Sequence, residues 1–273
     1  GSELAIDRSS AGEDLGAGPL PERPAVPPPP ARPAVVVLDD TTAGTAAAIA
    51  LDEPERGAAA VPPGPAGLEA VKSQPGAVLA VNLASSLVWP TIRQLRSNGR
   101  PQPSQILAYA ISNAASSGFW LGPVGFALLP LGELDVAGLV RAAAPGAKRV
   151  IAMSSDIDLM GDVRTRLAGA KMSTAVVFDG RQALDLVPTV RPEAAIIHLS
   201  PSCGDVFSAV VGLRSLDAAR KIPIFFLLDS APHQREEAFF ATGLRLLSTR
   251  ANLQVGELGN HLAQALAVPA RAA

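Results

Sequence analysis

Pro192-Glu-Ala-Ala-Ile-Ile-His198-Leu199 has the shape of a buried parallel strand: a short, nearly continuous apolar run ending on a residue that could carry chemistry. The same shape stands 116 positions earlier, as Pro75-Gly-Ala-Val-Leu-Ala-Val-Asn82-Leu83. In an open parallel sheet the working side chains sit at the carboxyl ends of strands, beside the point where strand order reverses. Asn82 and His198 are therefore the first residues to ask about function.

Working outward, strands and helices alternate. Ala34-Val-Val-Val-Leu-Asp39-Asp40 reads as a strand running out to two acids. A helix over 43–53 follows, then a strand at 58–61, a helix at 66–73, the Asn82 strand at 77–83 and a helix at 87–97. Strands at 106–111 and 124–129 and a helix at 133–143 complete the first half. The second half repeats the plan with strands at 149–153, 173–178, 194–199, 224–228 and 244–248. Helices at 158–169, 181–187, 205–216, 234–241 and 256–267 alternate with them. Leu95-Arg-Ser97 matches Leu213-Arg-Ser215, and Gly132-Glu-Leu134 matches Gly256-Glu-Leu258, at offsets of 118 and 124. The expected fold class is α/β: two tandem doubly wound (βα)5 domains, each with a five-stranded parallel sheet. The expected boundaries are 34–146 and 147–273, after a disordered proline-rich linker over 1–33 that opens on a Gly1-Ser2 tag scar.

Composition narrows the function classes. Hydrophobic residues at 48% support a sizeable core, and a net charge of −2 gives no basic field for nucleic acid. Aromatics at 4% argue against base-stacking platforms. The single cysteine, Cys203, rules out an internal disulfide framework and suits a reducing, cytoplasmic setting. No apolar run is long enough for a membrane span, and the acidic start does not read as a signal peptide.

Element order, spacing and the strand-end residues together resemble response-regulator receiver domains, in tandem. In that family two acids after the first strand and an aspartate after the third hold Mg²⁺, and the aspartate accepts a phosphoryl group. A hydroxyl after the fourth strand and a lysine after the fifth bind the phosphoryl oxygens. In the first repeat Asp39 and Asp40 match the acid pair, Ser112 the hydroxyl and Pro130 the residue after the lysine. Asn82 stands at the acceptor position and Leu129 at the lysine position, so both break the pattern. In the second repeat Ser154 and Ser155 replace the acid pair, Asp156 fits a third acidic position, and His198 stands at the acceptor. Ser230 matches the hydroxyl, and the lysine position falls at Thr249 or Arg250.

The resemblance implies a pseudo-receiver tandem in two-component signalling, the C-terminal region of a hybrid sensor histidine kinase. It would regulate a kinase or partner by protein–protein docking, without enzymatic activity or a cofactor. The partners implied are a histidine kinase core or other receiver domains, with no nucleic acid or membrane contact; a homodimer is compatible with this. Two alternatives stay open. One is a ligand-binding switch for an anionic small molecule such as a cyclic dinucleotide, drawing on Arg141, Lys148 and Arg149. The other is a phosphoacceptor using non-standard residues.

Plainer readings accompany several residues. His198 has no companion His, Cys or acid at ligand spacing and reads as structural or partner-facing. Asp39 and Asp40 could hold Mg²⁺ weakly; no other metal site is expected. Cys203 reads as a loop thiol and Asp179 as a strand-to-helix turn residue. His233 and His261 need no special role, and Gln234–Glu237 should face solvent. From Ser112 to Leu129 is only 17 positions, with Gly118, Gly122 and Pro123 among them, so helix four of the first repeat should be shortened or lost. Phe119, Trp120 and Leu121 are then a candidate interaction patch, or else collapse onto the sheet.

Overall fold

The computed structural model describes residues 32–97, 105–113, 115–215 and 222–267. The expected linker over 1–33 lies almost wholly outside them. The first strand, β1 (Val35–Leu38), is four branched or leucine residues, all buried. Such a run forms where a sheet is covered on both faces, because alternate side chains then each meet a helix layer. Val36 and Leu38 enter one apolar cluster, while Val35 and Val37 enter another on the opposite face. β3 (Val78–Asn82), β8 (Ala194–His198) and β9 (Ile224–Asp229) follow the same logic.

Four strands of the first half run parallel in the order β2 (Ala58–Val61), β1, β3, β4 (Gln105–Ala110). Four strands of the second half repeat that order, as β7 (Ser173–Val177), β6 (Arg149–Met153), β8, β9. The two sets do not form separate five-stranded sheets. They join through β5 (Ser117–Leu129) into one ten-stranded, mostly parallel sheet.

This strand is longer than the expected 124–129, and it changes partner midway. Its first part runs antiparallel to β4, with Phe119 opposite Ala110 and Val124 opposite Ile106. Its second part runs parallel to β9, with Val124 opposite Ile224 and Leu129 opposite Asp229. The switch falls at Gly122-Pro123. Gly122 has φ +75° beside a shift of register, and Pro123 has no N–H to give a ladder. Arg214 donates to the Pro123 carbonyl at 3.2 Å, which steadies the crossover from the second half. Gly118 is needed too, since a Cβ there would lie 2.5 Å from the Ala110 oxygen.

The last helix of each half packs on the other half. After β5, α4 (Val136–Ala143) packs on α5 (Ile157–Gly169) of the second half, burying Val136 and Val140 with Met160 and Val163. Near the end of the chain, β10 (Leu253–Gln254) pairs antiparallel with Ser117 and Gly118. It leads through a single 3-10 turn into α9 (Leu258–Ala267), which packs on α1 (Thr42–Leu51) of the first half. The alanines of α1 allow the close approach, and Leu258 and Leu262 fill the seam.

The opposite face carries one apolar cluster across both halves. It is covered by α2 (Pro65–Ser73), α3 (Val88–Arg96), α6 (Gly180–Val190), α7 (Val206–Ser215) and α8 (Glu236–Thr249). Among the described residues no helix stands between β4 and β5. The place beside α3 is filled by α8: Trp89 stacks on Phe240 at 3.8 Å with rings 7° from parallel. Buried Arg93 pairs with buried Glu236 beside it, so Glu236 does not face solvent as expected. α8 also replaces the expected strand at 244–248; its period carries Phe240, Gly243 and Leu247 inward in succession. Among the described residues no helix is long and apolar enough to cross a membrane.

Candidate functional site

Because the two strand sets run in opposite directions, their carboxyl ends form two crevices at opposite edges of the sheet. Each is built by the same turn. After β1, the Asp39 side chain accepts from the Thr41 amide at 2.9 Å, and Thr41 caps α1 by accepting from Gly44. After β6, Ser154 accepts from the Asp156 amide at 3.0 Å, and Asp156 caps α5 by accepting from Leu159. Oxygen-bearing side chains at these positions satisfy helix N–H groups that have no partner within the helix.

In the first crevice Asn82 meets Asp39 as the sequence suggested, but the pair is closed. Asn82 is 1% exposed and Asp39 2%. The Asn82 amide donates to Asp39 Oδ1 at 3.1 Å and to the Ile111 carbonyl at 2.9 Å. Its oxygen accepts from the Ala84 and Ile111 amides, both at 3.1 Å. All four hydrogen-bonding positions of the amide are therefore used. Tyr109, missed in the sequence, donates its hydroxyl to Asp39 Oδ2 at 2.7 Å. Burial, then the neighbouring Asp39, pushes the phenol well above its ordinary range. With both Asp39 oxygens engaged, no carboxylate pair faces an incoming cation; Asp40 is exposed beside them and Ser112 is exposed beyond β4. Among the described residues no group of three His, Cys, Asp or Glu converges for a metal.

Leu129 and Pro130 do not belong to this crevice. The second part of β5, paired with β9, carries them to the second one, where they line a cleft of about 700 Å³ with Asp156, Asp229 and Ser230. Thr249, expected at the lysine position of the second half, ends α8 and bonds its hydroxyl to the Leu246 carbonyl at 2.8 Å. The strand expected to end there lies later, at β10. The match of Gly132-Glu-Leu134 with Gly256-Glu-Leu258 already put Leu253 opposite Leu129 and could have located it.

His198 does have companions, which chain spacing hid. Its Nδ1 lies 2.9 Å from Ser154 Oγ, and its Nε2 lies 3.5 Å from Asp229 Oδ1 on the neighbouring strand. Burial lowers the pKa of the imidazole, against the opposing pull of Asp229. Ser154, His198 and Asp229 have the membership of a hydrolase triad but not its access. Ser154 is 0% exposed and its oxygen is already committed to the Asp156 amide, so it cannot reach a substrate carbonyl. Exposed Ser155 donates to the Ser202 hydroxyl at 3.0 Å, and Ser202 shares a hydrogen bond with Ser200 at 2.9 Å.

Other expectations sort as follows. Cys203 lies in the loop between β8 and α7, as expected, but fully buried there, and burial raises its pKa, which disfavours the reactive thiolate. Asp179 caps α6 by accepting from Gln182. Arg149 is engaged with Glu193 at 2.8 Å and with the Arg191 carbonyl, so it is not held ready for an anion. Phe119 and Leu121 are buried in β5, while half-buried Trp120 turns to the other face against His261 of α9. The three therefore do not form one surface patch.

No protein-family model matches this chain, and no curated protein sequence matches it. Among solved structures it is similar to a crystal structure of arylmalonate decarboxylase, at 16% identity over 84% of this chain and all of that one, with a TM-score of 0.24. It is similar also to a structure of unliganded arylmalonate decarboxylase, at 14% identity over 78% of this chain and 91% of that one, with a TM-score of 0.23.

Proposed function

We propose that the chain is a pair of receiver-like repeats that accept no phosphoryl group and act by docking protein partners in two-component signalling. In this reading the repeats, 34–146 and 147–273, have exchanged their fifth strand and helix. The observation that carries it is Asn82: an amide at the acceptor position with every hydrogen-bonding position filled. Phosphoryl transfer to a side chain needs an ionised nucleophile, a metal ion and a cation for the transferred oxygens. The first crevice offers Asn82, an engaged Asp39 and no lysine from the fifth strand. The second offers a buried imidazole, with Leu129 where the cation would stand.

A regulatory docking role fits a fold that keeps the receiver plan while its chemistry has been replaced by structural hydrogen bonds. Partners would be a kinase core or another receiver, and the setting cytoplasmic. The anionic-ligand alternative finds little support in the second crevice, whose lining includes four aspartates. Incubation with acetyl phosphate and Mg²⁺, followed by intact-mass measurement, tests the reading. An unchanged mass is expected; a stable gain of about 80 Da, one phosphoryl group, would overturn it.

A further inference from the structure

Among the described residues no lysine or arginine lines the second crevice. Asp156, Asp158, Asp162 and Asp229 line it, with His233. Asp162 pairs with Arg166 at 2.8 Å, and Asp229 lies 3.5 Å from His198, an ion pair only when the imidazole is protonated. Asp156 spends one oxygen on the Leu159 amide, and Asp158 is exposed. The fourth acid, Asp229, faces a second and independent feature. His198 is 5% exposed, and its buried Nε2 has no hydrogen-bond partner. That atom points at Asp229 Oδ1 from 3.5 Å, beyond good hydrogen-bonding distance. Among the described residues the carboxylate at the mouth thus has no lysine or arginine partner, only the distant imidazole, and it is 38% exposed.

We infer that this cleft binds a lysine or arginine side chain presented by a protein partner. The inference rests on the docking reading above and names the chemistry that one crevice recognises. Charge complementarity selects the occupant: a cationic tip meets Asp156, Asp158 and Asp229. The apolar wall of Leu129, Pro130 and Leu159 suits the methylene stem of such a side chain. A bare metal ion is a poorer match, because the acids are spread along the lip and no three converge among the described residues. Arginine has the advantage over lysine, since its planar fork can engage two carboxylates at once.

The test is an NMR titration of the isotope-labelled full chain with N-acetyl-arginine amide, N-acetyl-lysine amide, the neutral N-acetyl-citrulline amide, and MgCl₂ alone. Saturable shifts with the two cationic probes are expected at the amides of Asp156, Asp158, Asp229 and Ser230, weakening as salt is raised. Asp156→Asn keeps a good helix cap, and with Asp158→Asn it should weaken arginine-amide binding roughly fivefold, the scale of one or two exposed charge pairs. Asp229→Asn should weaken it similarly. Equal shifts with the citrulline probe, unchanged affinity in these variants, no shifts at all, or tighter binding of Mg²⁺ than of arginine amide would each overturn the inference. None of these outcomes produces a phosphoryl adduct, so failure here is distinguishable from failure of the docking reading.

Discussion

Replacing Asn82 by aspartate restores the residue type expected of a phosphoryl acceptor, and the structure says what that costs. The new carboxyl would stand about where the amide now lies 3.1 Å from Asp39 Oδ1 and 2.9 Å from the Ile111 carbonyl, at 1% exposure. Two unit negative charges at that separation repel by about 5 kcal/mol at an effective dielectric of about 20. Taking up a proton avoids the repulsion. Holding it at about pH 7, three units above an ordinary aspartate, costs about 4 kcal/mol at about 1.4 kcal/mol per unit. The smaller cost wins, so the pair should share a proton. Its pKa is then raised in the folded state, so the variant's stability is intact below the unfolded value, near 3.9, and is lost as pH rises. Asn82→Asp should lose about 4 kcal/mol at about pH 7 but only about 1.5 kcal/mol at about pH 5, plus roughly 1 kcal/mol at both for one lost hydrogen bond. Asn82→Ala, which adds no charge, should show a loss with no such pH dependence. Urea unfolding of the three proteins at both pH values reads this directly. An Asn82→Asp loss equal at the two pH values, or below about 1 kcal/mol at about pH 7, would refute the closed, buried pairing of residues 39 and 82.

Two further outcomes follow from the second half and the junction. Burial lowers the His198 pKa, so its contribution to stability is present above the ordinary 6.5 and lost as pH falls below it. The urea midpoint of the wild type should therefore drop between about pH 7.5 and about pH 5.5, and His198→Asn should flatten that drop; an unchanged slope would exclude His198 as its source. Glu236→Ala leaves Arg93 buried without its ion-pair partner, and should cost about 3–5 kcal/mol in thermal or urea unfolding. The double variant Arg93→Met/Glu236→Leu should recover much of that loss, because two apolar groups leave no uncompensated charge.

The strands were legible because burial on both faces demands runs such as Val35–Leu38 and Ala194–His198, which stand out against polar flanks. The turn at Asp179 was legible for a similar local reason, a short oxygen-bearing side chain at a helix start, whereas the caps at Thr41 and Asp156 went unread. The pairing of Leu129 with Asp229 was not, because a ladder between segments a hundred residues apart leaves no periodicity in either one. That gap misplaced Leu129 and Pro130, and it hid the acid beside His198. Gly243 was not read at all. It stands just past the expected helix end at 241, yet α8 runs on through it, and its lack of a side chain lets α8 lie against Phe207, where a Cβ would come within 2.1 Å of the ring. The loss of a helix between β4 and β5 was readable from the short spacing, but its replacement by α8 was a tertiary fact.

The packing of each half's last helix on the other half also sets a timetable for synthesis. The α1 helix emerges from the ribosome early, yet the α9 helix that covers it is made about 200 residues later. At about 5–20 residues per second, the alanine face of α1 waits some 10–40 s for its cover. Severing the polypeptide near residue 146 would make that wait permanent, leaving one fragment with α1 bare and the other with α5 missing the cover of α4.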